Sequence, residues 1–510
     1  MTTLFADTVP GLLAGGAADA PAITAPDRPA LTHGGLRALA AGTTAALNAM
    51  GIGRNDRVAI VLPNGPEMAA AFIAVASGAT TAPLNPAYRA DEFSFYLADL
   101  GARALVVRQG VDSPARAAAA GAGIPVIELI PGESAAGEFT LRPQTPLAGA
   151  PARPGAAQAD DIALVLHTSG STSRPKIVPL SQRNVTASAH NIATTLALTA
   201  DDACLNIMPL FHIHGLIAAV LASVAAGGSV CCPPGFNAFR FFAWFAQARP
   251  SWYTAVPTMH QALLPLAARN RDVIAAGRLR LVRSSSASLP PPVMTELEAA
   301  FGVPVIEAYG MTEAAHQMAS NPLPPRPRFA GSVGLAAGPQ IGIMDEHGSL
   351  LPAGAIGEVV IRGPNVTAGY ENNPAANASA FTAGWFRTGD QGALDAQGYL
   401  RLTGRLKEII NRGGEKVSPL EVDAVLMEHP AVQQVVTFGM PHPKLGEEVA
   451  AAVVLRAGHR LDERSLRDFA GARLAPFKVP RLVVFLAEIP KGATGKLQRI
   501  GLADRLGLLA

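Results

Sequence analysis

The chain's pattern predicts α/β layers, with a large N-terminal α/β region of several subdomains followed by a small α+β domain. Three observations lead there. Apolar strand-type runs alternate with apolar-faced helical runs, the rhythm of βαβ units rather than of a bundle or a sandwich. At 510 residues, nearly half of them apolar, the chain exceeds what one compact core supports, so two or three domains sharing a large interface are expected. A change of composition follows the turn-rich stretch 386–419, and residues 405–510 suffice for a small independent domain.

Taken in order, residues 57–63 (RVAIVLP) read as a buried strand, 67–78 as an apolar-faced helix, 81–84 as a short strand and 91–100 as a second helix. The Ala-, Gly- and Pro-rich residues 112–157 read as a variable surface region. The longest apolar stretch, 215–226, is shorter than the roughly 20 residues a bilayer crossing needs, so a buried helix is expected there. A boundary at 404–407 divides the chain into 1–404 and 405–510. Beyond it, helices are expected at 418–428 and 463–474, and strands at 434–439 and 448–455.

Charge and cysteine usage exclude several functions. The 41 basic and 39 acidic residues leave a net charge of +2 with the basic residues scattered, unlike the footprint of a nucleic-acid binder. Cys204, Cys231 and Cys232 are too few and wrongly spaced for a disulfide framework or a zinc site, which fits a reducing compartment. The N-terminal MTTLFADTVPGLL has no basic segment leading into an apolar core, so no secretory leader is read and a cytoplasmic location is expected.

Residues 164–181, LVLHTSGSTSRPKIVPLS, place a Ser/Thr-rich loop with a glycine and a lysine after an apolar run. Small hydroxyl and backbone N–H groups at this density suit close approach to a large anion such as a phosphate. Two familiar phosphate loops are excluded. Lys176 follows Pro175 and precedes Ile177, where a Walker motif needs Gly-Lys-Ser/Thr, and a single glycine cannot make G-x-G-x-x-G. Alone, the loop reads equally well as a flexible turn.

Further segments follow in order: EAYGMTE (307–313), TGD (388–390), GRLKEIINRGGEKVSP (404–419) and PKGATGKLQR (490–499). With the Thr168 loop they resemble the signature segments of the adenylate-forming superfamily, which includes acyl-CoA synthetases, luciferases and the adenylation domains of peptide synthetases. The resemblance runs from near residue 57 to about residue 500. It implies the adenylate-forming enzyme fold, with a mobile C-terminal domain. It also implies an AMP-forming acid–thiol ligase that uses ATP, Mg²⁺ and coenzyme A. In that chemistry a carboxylate attacks the α-phosphorus of ATP, pyrophosphate leaves, and a thiol then displaces AMP from the acyl-AMP. Both steps gather negative charge, so donors and cations must stand ready.

On the same resemblance, Thr168, Ser169, Gly170, Ser171 and Thr172 cradle the β- and γ-phosphates with Lys176 assisting. Ser286, Ala287 and Ser288 belong to the nucleotide-binding set, while Glu307, Ala308 and Tyr309 line the adenine, the Tyr309 ring stacking on it. Thr312 is expected at the α-phosphate and Glu313 on Mg²⁺. Asp390 takes the ribose hydroxyls with Arg405 beside it. Lys496 bridges the attacking carboxylate and the α-phosphate as a compact point charge. Lys407 holds the hinge position, and Gly413 and Gly414 meet the pantetheine arm after the small domain swings. NRGGEKVSP matches acyl-CoA synthetases better than peptide-synthetase domains, so free CoA is the expected thiol.

Fewer residues speak to the acid. PLFHIHGL (209–216) begins the acyl pocket of the resembled family, and RSSSASL (283–289) carries serines where many relatives have glycine and proline. His214, Ser286 and His316 are the expected acid contacts, with Ser288 nearby, and so polar a set suits a small, polar acid. With WYTAVPTMHQ (252–261) and RGPNVTAGYENNP (362–374), the pattern looks closest to the oxalate-CoA ligase branch. Malonate, or a medium-chain or aryl acid, is the alternative on the same machinery. From another class, a non-catalytic AMP- or acyl-AMP-binding regulator is opposed by the joint presence of Lys496, Glu313 and Asp390.

Overall fold

The computed structural model describes residues 6–147, 149–168 and 175–508, and among these residues the strands form four sheets. The first runs Phe139–Pro143, Val126–Pro131, Ala104–Arg108, Arg57–Val61, Thr80–Pro83, Ile162–Thr168, Lys176–Ser181. At its centre is the expected βαβ unit: Arg57–Val61 and Thr80–Pro83 pair in parallel through helix Pro66–Ala76. Every residue of that helix is buried, as a helix apolar all round must be, and Pro66 starts it where an N–H would lack a helical partner.

Residues 112–157 depart from the expected surface region. Helix Pro114–Gly121 and strands Val126–Pro131 and Phe139–Pro143 extend this sheet to its margin, with Ile127 and Leu129 fully buried. The branched run VIELI holds a strand that the Ala/Gly-rich surroundings conceal.

The second sheet runs Leu335–Ala336, His316–Ser320, Val305–Met311, Leu281–Ser285, Trp252–Ala255, Ala203–Asn206, Ser229–Cys231, Pro21–Ala25, Arg28–Thr32. Its interior pairings are parallel and its margins antiparallel. Parallel strands need cover on both faces. Helices Ala238–Ala248, Pro257–Ala267 and Pro291–Phe301 pack Phe241, Leu263 and Leu297 against Tyr253 and Val282. On the opposite face, helix Gln182–Thr195 and the apolar stretch 214–225 bring Val185, Ile192 and Leu216 to Trp252 and Ile306.

A third sheet gathers Gln340–Met344, Gly357–Arg362, Trp385–Leu394, Phe381–Thr382 and Leu400–Arg405. The chain leaves it after Arg405, turns through residues 406–408, and enters the fourth sheet at Ile410–Arg412. There Glu415–Val417, Gly446–Leu455, Val432–His442 and Leu482–Phe485 join it. Helices Pro419–Met427 and Glu463–Gly471 stand where expected, capped by the Ser418 hydroxyl and the Asp462 carboxylate. Among the described residues no helix is long and apolar enough to cross a membrane.

Candidate active site

The carboxyl ends of the parallel strands in the second sheet gather the candidate site, the place where open α/β sheets receive ligands. Strand Leu281–Ser285 leads into Ser286, and Val305–Met311 leads into the short turn Thr312–Ala314. Gly310 makes the following hairpin possible: a Cβ there would stand 1.9 Å from the His316 carbonyl oxygen. The strand register slips between Tyr309 and Gly310, and the chain then runs through positive φ at Ala315 (47°) and His316 (102°).

Tyr309 donates its hydroxyl to the Asp390 carboxylate, and both side chains are buried. Asp390 faces Arg405 in strand register, and its Oδ1 lies 3.0 Å from the Arg405 Nε. Burial pushes the Asp390 carboxyl above the usual range, against the pull of Arg405 and the Tyr309 hydrogen bond.

Glu313 is buried and accepts a hydrogen bond of 2.8 Å from the Tyr370 hydroxyl. The Lys176 ammonium sits 4.3 Å from the centre of the Tyr370 ring, a cation–π contact. Burial raises the Glu313 carboxyl, opposed by Tyr370, Arg405 and Lys176. Thr168 pairs with Lys176 across the antiparallel hairpin that the Ser/Thr-rich loop closes, so the loop joins strand to strand rather than strand to helix. Ser169, Gly170, Ser171 and Thr172 lie outside the described residues.

Lys496 reaches this cluster from the far end of the chain. It stands in a tight turn closed by the Lys491–Leu497 bridge, and Thr258 donates to the Gly495 carbonyl at 2.6 Å, seating the turn on helix Pro257–Ala267. Gly495 has φ +82°, and the side chains of Val256 and Thr258 approach closely enough to crowd a Cβ. Burial and the Arg405 charge pull the Lys496 ammonium down to about 8, while Asp390 and Glu313 hold it up. Its charge also reaches His212, His214 and His316.

Those histidines line the second half of the site. His214 opens a π-helical stretch, His214–Leu221, which passes into α-helix at Ala222–Ala225, where a plain buried helix was expected. Such widened turns concentrate at functional sites. The His214 Nδ1 lies 3.0 Å from the Ser286 Oγ and its Nε2 lies 2.6 Å from the Thr254 Oγ1. The His316 ring lies 5.0 Å from that of His214, tilted by 54°. His316 is buried, and neither ring nitrogen has a protein partner among the described residues. Burial first, then the His316 ring for His214 and the Arg283 charge for His316, hold both imidazoles well below 6.5, hence neutral at pH 7 with one donor and one acceptor each.

The structure therefore brings together Lys176, Tyr309, Glu313, Asp390, Arg405 and Lys496, and beside them His214, Ser286 and His316. Ala287 and Ser288, which follow Ser286, are exposed. Buried Glu307 and Ala308 lie within strand Val305–Met311, and Thr312 follows that strand half-buried. Gly413 and Gly414 form an exposed turn with φ of 59° and 95°, and Lys407 is exposed in the turn after Arg405. Tyr370 and Thr254 were not among the expected site residues. Both lie in segments already set apart by their resemblance, GYENNP and WYTAVP, and a tyrosine or threonine there was the available signal.

Comparison with known proteins identifies the family. Residues 14–371 match the AMP-binding enzyme family and residues 421–496 match the AMP-binding enzyme C-terminal domain. A probable CoA ligase of Humulus lupulus is 46% identical over 482 residues, 92% of this chain and 90% of its own. An oxalate–CoA ligase of Arabidopsis thaliana is 44% identical over 509 residues, 97% of each chain. The crystal structure of ATP-bound MatB from Rhodopseudomonas palustris superposes with a TM-score of 0.86 at 30% identity, covering 96% of this chain and 97% of that one. On fold and sequence together, this chain belongs to the AMP-binding enzyme family, the adenylate-forming enzymes.

Proposed function

We propose that the protein is an ATP-dependent oxalate–CoA ligase, converting oxalate, ATP and CoA to oxalyl-CoA, AMP and pyrophosphate. The observation that carries the choice of acid is the buried His214–His316 pair, with half-buried Ser286 on His214, beside Lys496. A fatty or aryl acid would leave the His316 ring nitrogens, which have no protein partner among the described residues, unpaired, a stronger rejection than lost contact area. A second carboxylate gives them acceptors.

In the first half-reaction an oxalate oxygen attacks the α-phosphorus of ATP, the bond from that phosphorus to the bridging oxygen breaks, and pyrophosphate leaves with the electron pair. Lys496 draws the attacking carboxylate and the α-phosphate together, and Thr312 donates to the latter. Thr168, Ser169, Gly170, Ser171 and Thr172 with Lys176 bind the departing phosphates, Tyr309 supports the adenine, and Asp390 with Arg405 holds the ribose. Glu313 fits a hard divalent cation: it is an oxygen donor whose raised pKa marks a place that gains from positive charge. Among the described residues no cluster of three His, Cys, Asp or Glu could hold a metal alone, so Glu313 would share Mg²⁺ with phosphate oxygens. When bound, the ion neutralises charge on the phosphates.

In the second half-reaction the thiol of CoA attacks the acyl carbon and AMP departs. Residues 405–510 turn about Lys407, withdrawing Lys496 and presenting Gly413 and Gly414 to the pantetheine arm. CoA-thioester formation with oxalate, malonate, acetate, octanoate and coumarate, measured side by side, tests this reading. Oxalate is expected to lead by kcat/KM, and far better turnover of octanoate or coumarate would overturn the assignment of the acid.

A further inference from the structure

Arg283 lies at the centre of the second sheet, in strand Leu281–Ser285, opposite Thr254 on one side and Ile306 on the other. It is fully buried. Its Nη2 donates to the Gln317 Oε1 at 3.2 Å, a neutral amide, while Nε and Nη1 have no protein partner among the described residues. Interior parallel strands are ordinarily filled by Val, Ile and Leu, as Leu281 and Val282 do here. A buried cation without an anion is strongly disfavoured, so a partner is missing from the described side chains. Burial draws the guanidinium down to about 9, still charged at neutral pH.

The surroundings indicate where an anion would sit. Thr254, beside Arg283 in register, bonds to His214, and Gln317, the amide partner of Arg283, directly follows His316. Arg283 is the largest charge acting on His316 and also acts on His214. The other groups acting on this pair are His212, from the loop before the π-helical stretch, and Lys496, from the C-terminal turn; the Cys204 thiol acts on Arg283 from its own strand. Lys496 attends the carboxylate that reacts, which leaves the second carboxylate without a cation of its own.

Resting on the assignment of a dianionic acid made above, we infer that Arg283 is a specificity-determining residue: a buried cation behind the His214–His316 pair that offsets the second negative charge of oxalate, so that the histidines need supply only hydrogen bonds. Oxamate tests this, because it has the shape of oxalate with one charge fewer. In wild type the kcat/KM for oxalate should exceed that for oxamate. Arg283→Gln should lower the oxalate value by at least about 10²-fold, the scale of losing a buried charge partner. It should lower the oxamate value less than about fivefold and leave the KM for ATP unchanged, while Arg283→Lys restores most of the preference. A second measurement needs no variant. Calorimetry of oxalate binding to wild type with a non-hydrolysable ATP analogue, in buffers of different ionisation enthalpy at pH 7.5, should show uptake of no more than about a quarter of a proton, the share that Lys496 at about 8 can still accept. Uptake near one proton per oxalate would mean that a histidine carries the charge, and would overturn the inference even if Arg283→Gln did not fold. If wild type prefers monocarboxylates, the dianion assignment falls and this inference with it. If wild type prefers oxalate and folded Arg283→Gln keeps the oxalate-to-oxamate ratio, the role of Arg283 alone is wrong.

Discussion

Removing the Lys496 ammonium should split the two half-reactions of the proposed cycle. The site holds this group at about 8 against an ordinary 10.5, so burial and Arg405 disfavour its charge by about 3 kcal/mol, at about 1.36 kcal/mol for each pKa unit. An anionic carboxylate and α-phosphate relieve that penalty on arrival, and more of it as charge gathers at the transferring phosphorus. Lys496→Ala should therefore slow oxalate-dependent pyrophosphate release by about 10²- to 10³-fold in single turnover. Thioester formation from supplied oxalyl-AMP and CoA should stay within about fivefold of wild type, since this step needs no adenylating cation. The sign with pH is fixed by which form works: the ammonium is charged below its pKa, so wild-type adenylation should decline as pH rises through about 8. Lys496→Arg, charged throughout, should lack that decline. Equal losses in both half-reactions of a folded Lys496→Ala, or an alkaline decline that persists in Lys496→Arg, would refute the reasoning.

Three further outcomes follow from particular contacts. His316→Ala should lower the kcat/KM for oxalate by about 10- to 10²-fold, the value of one buried hydrogen bond to a charged group, with the KM for ATP little changed; unaltered oxalate kinetics would remove His316 from the acid pocket. Lys407→Pro fixes φ near about −65° and should leave adenylation faster than thioester formation, whereas wild-type rates in both steps would put the pivot elsewhere. Glu307 is buried, accepts from the Leu289 N–H at 2.9 Å, and is pushed up to about 8 by burial. Between about 4.5 and 8 the folded chain thus keeps a proton that the unfolded chain releases, so this group costs stability progressively as pH rises through that window. Glu307→Gln keeps the acceptor and removes the titration, so its advantage in Tm over wild type should grow from pH 5 to pH 8; the same shift at both would show that ionisation is not the cause.

Much of this was legible in the chain before its structure. The strand at 57–63 and the helix after it were readable because a helix apolar all round has only one place to go. The signature segments could be placed in order through their resemblance to the adenylate-forming enzymes, and the structure adds a steric reason for Gly310 in EAYGMTE, where the His316 carbonyl leaves no room for a side chain. The strands at 126–131 and 139–143 were missed because their few branched residues sit in a stretch whose average composition is that of a loop. Arg283 was missed for a different reason. An arginine beside serines reads as a surface position, and its burial depends on strands more than twenty residues away on either side in sequence. The available signal was a charged residue directly after LRLV, at a position an interior strand would fill with an aliphatic side chain. Tyr370 shows the same limit, since its bond to Glu313 spans 57 residues and no local pattern announces it.

The widened winding from His214 to Leu221 has a consequence of its own. A π turn holds one residue more than an α turn, and after His214 the excess is carried by the buried apolar residues 215–221. Deleting one residue between 217 and 221 would let the segment settle into the regular α ladder that already begins at Ala222. The same deletion would re-space the residues between Ala222 and His214, whose imidazole the present winding seats on Thr254 and Ser286. The widened winding is thus how a chain of this length keeps both the regular helix from Ala222 and the seating of His214.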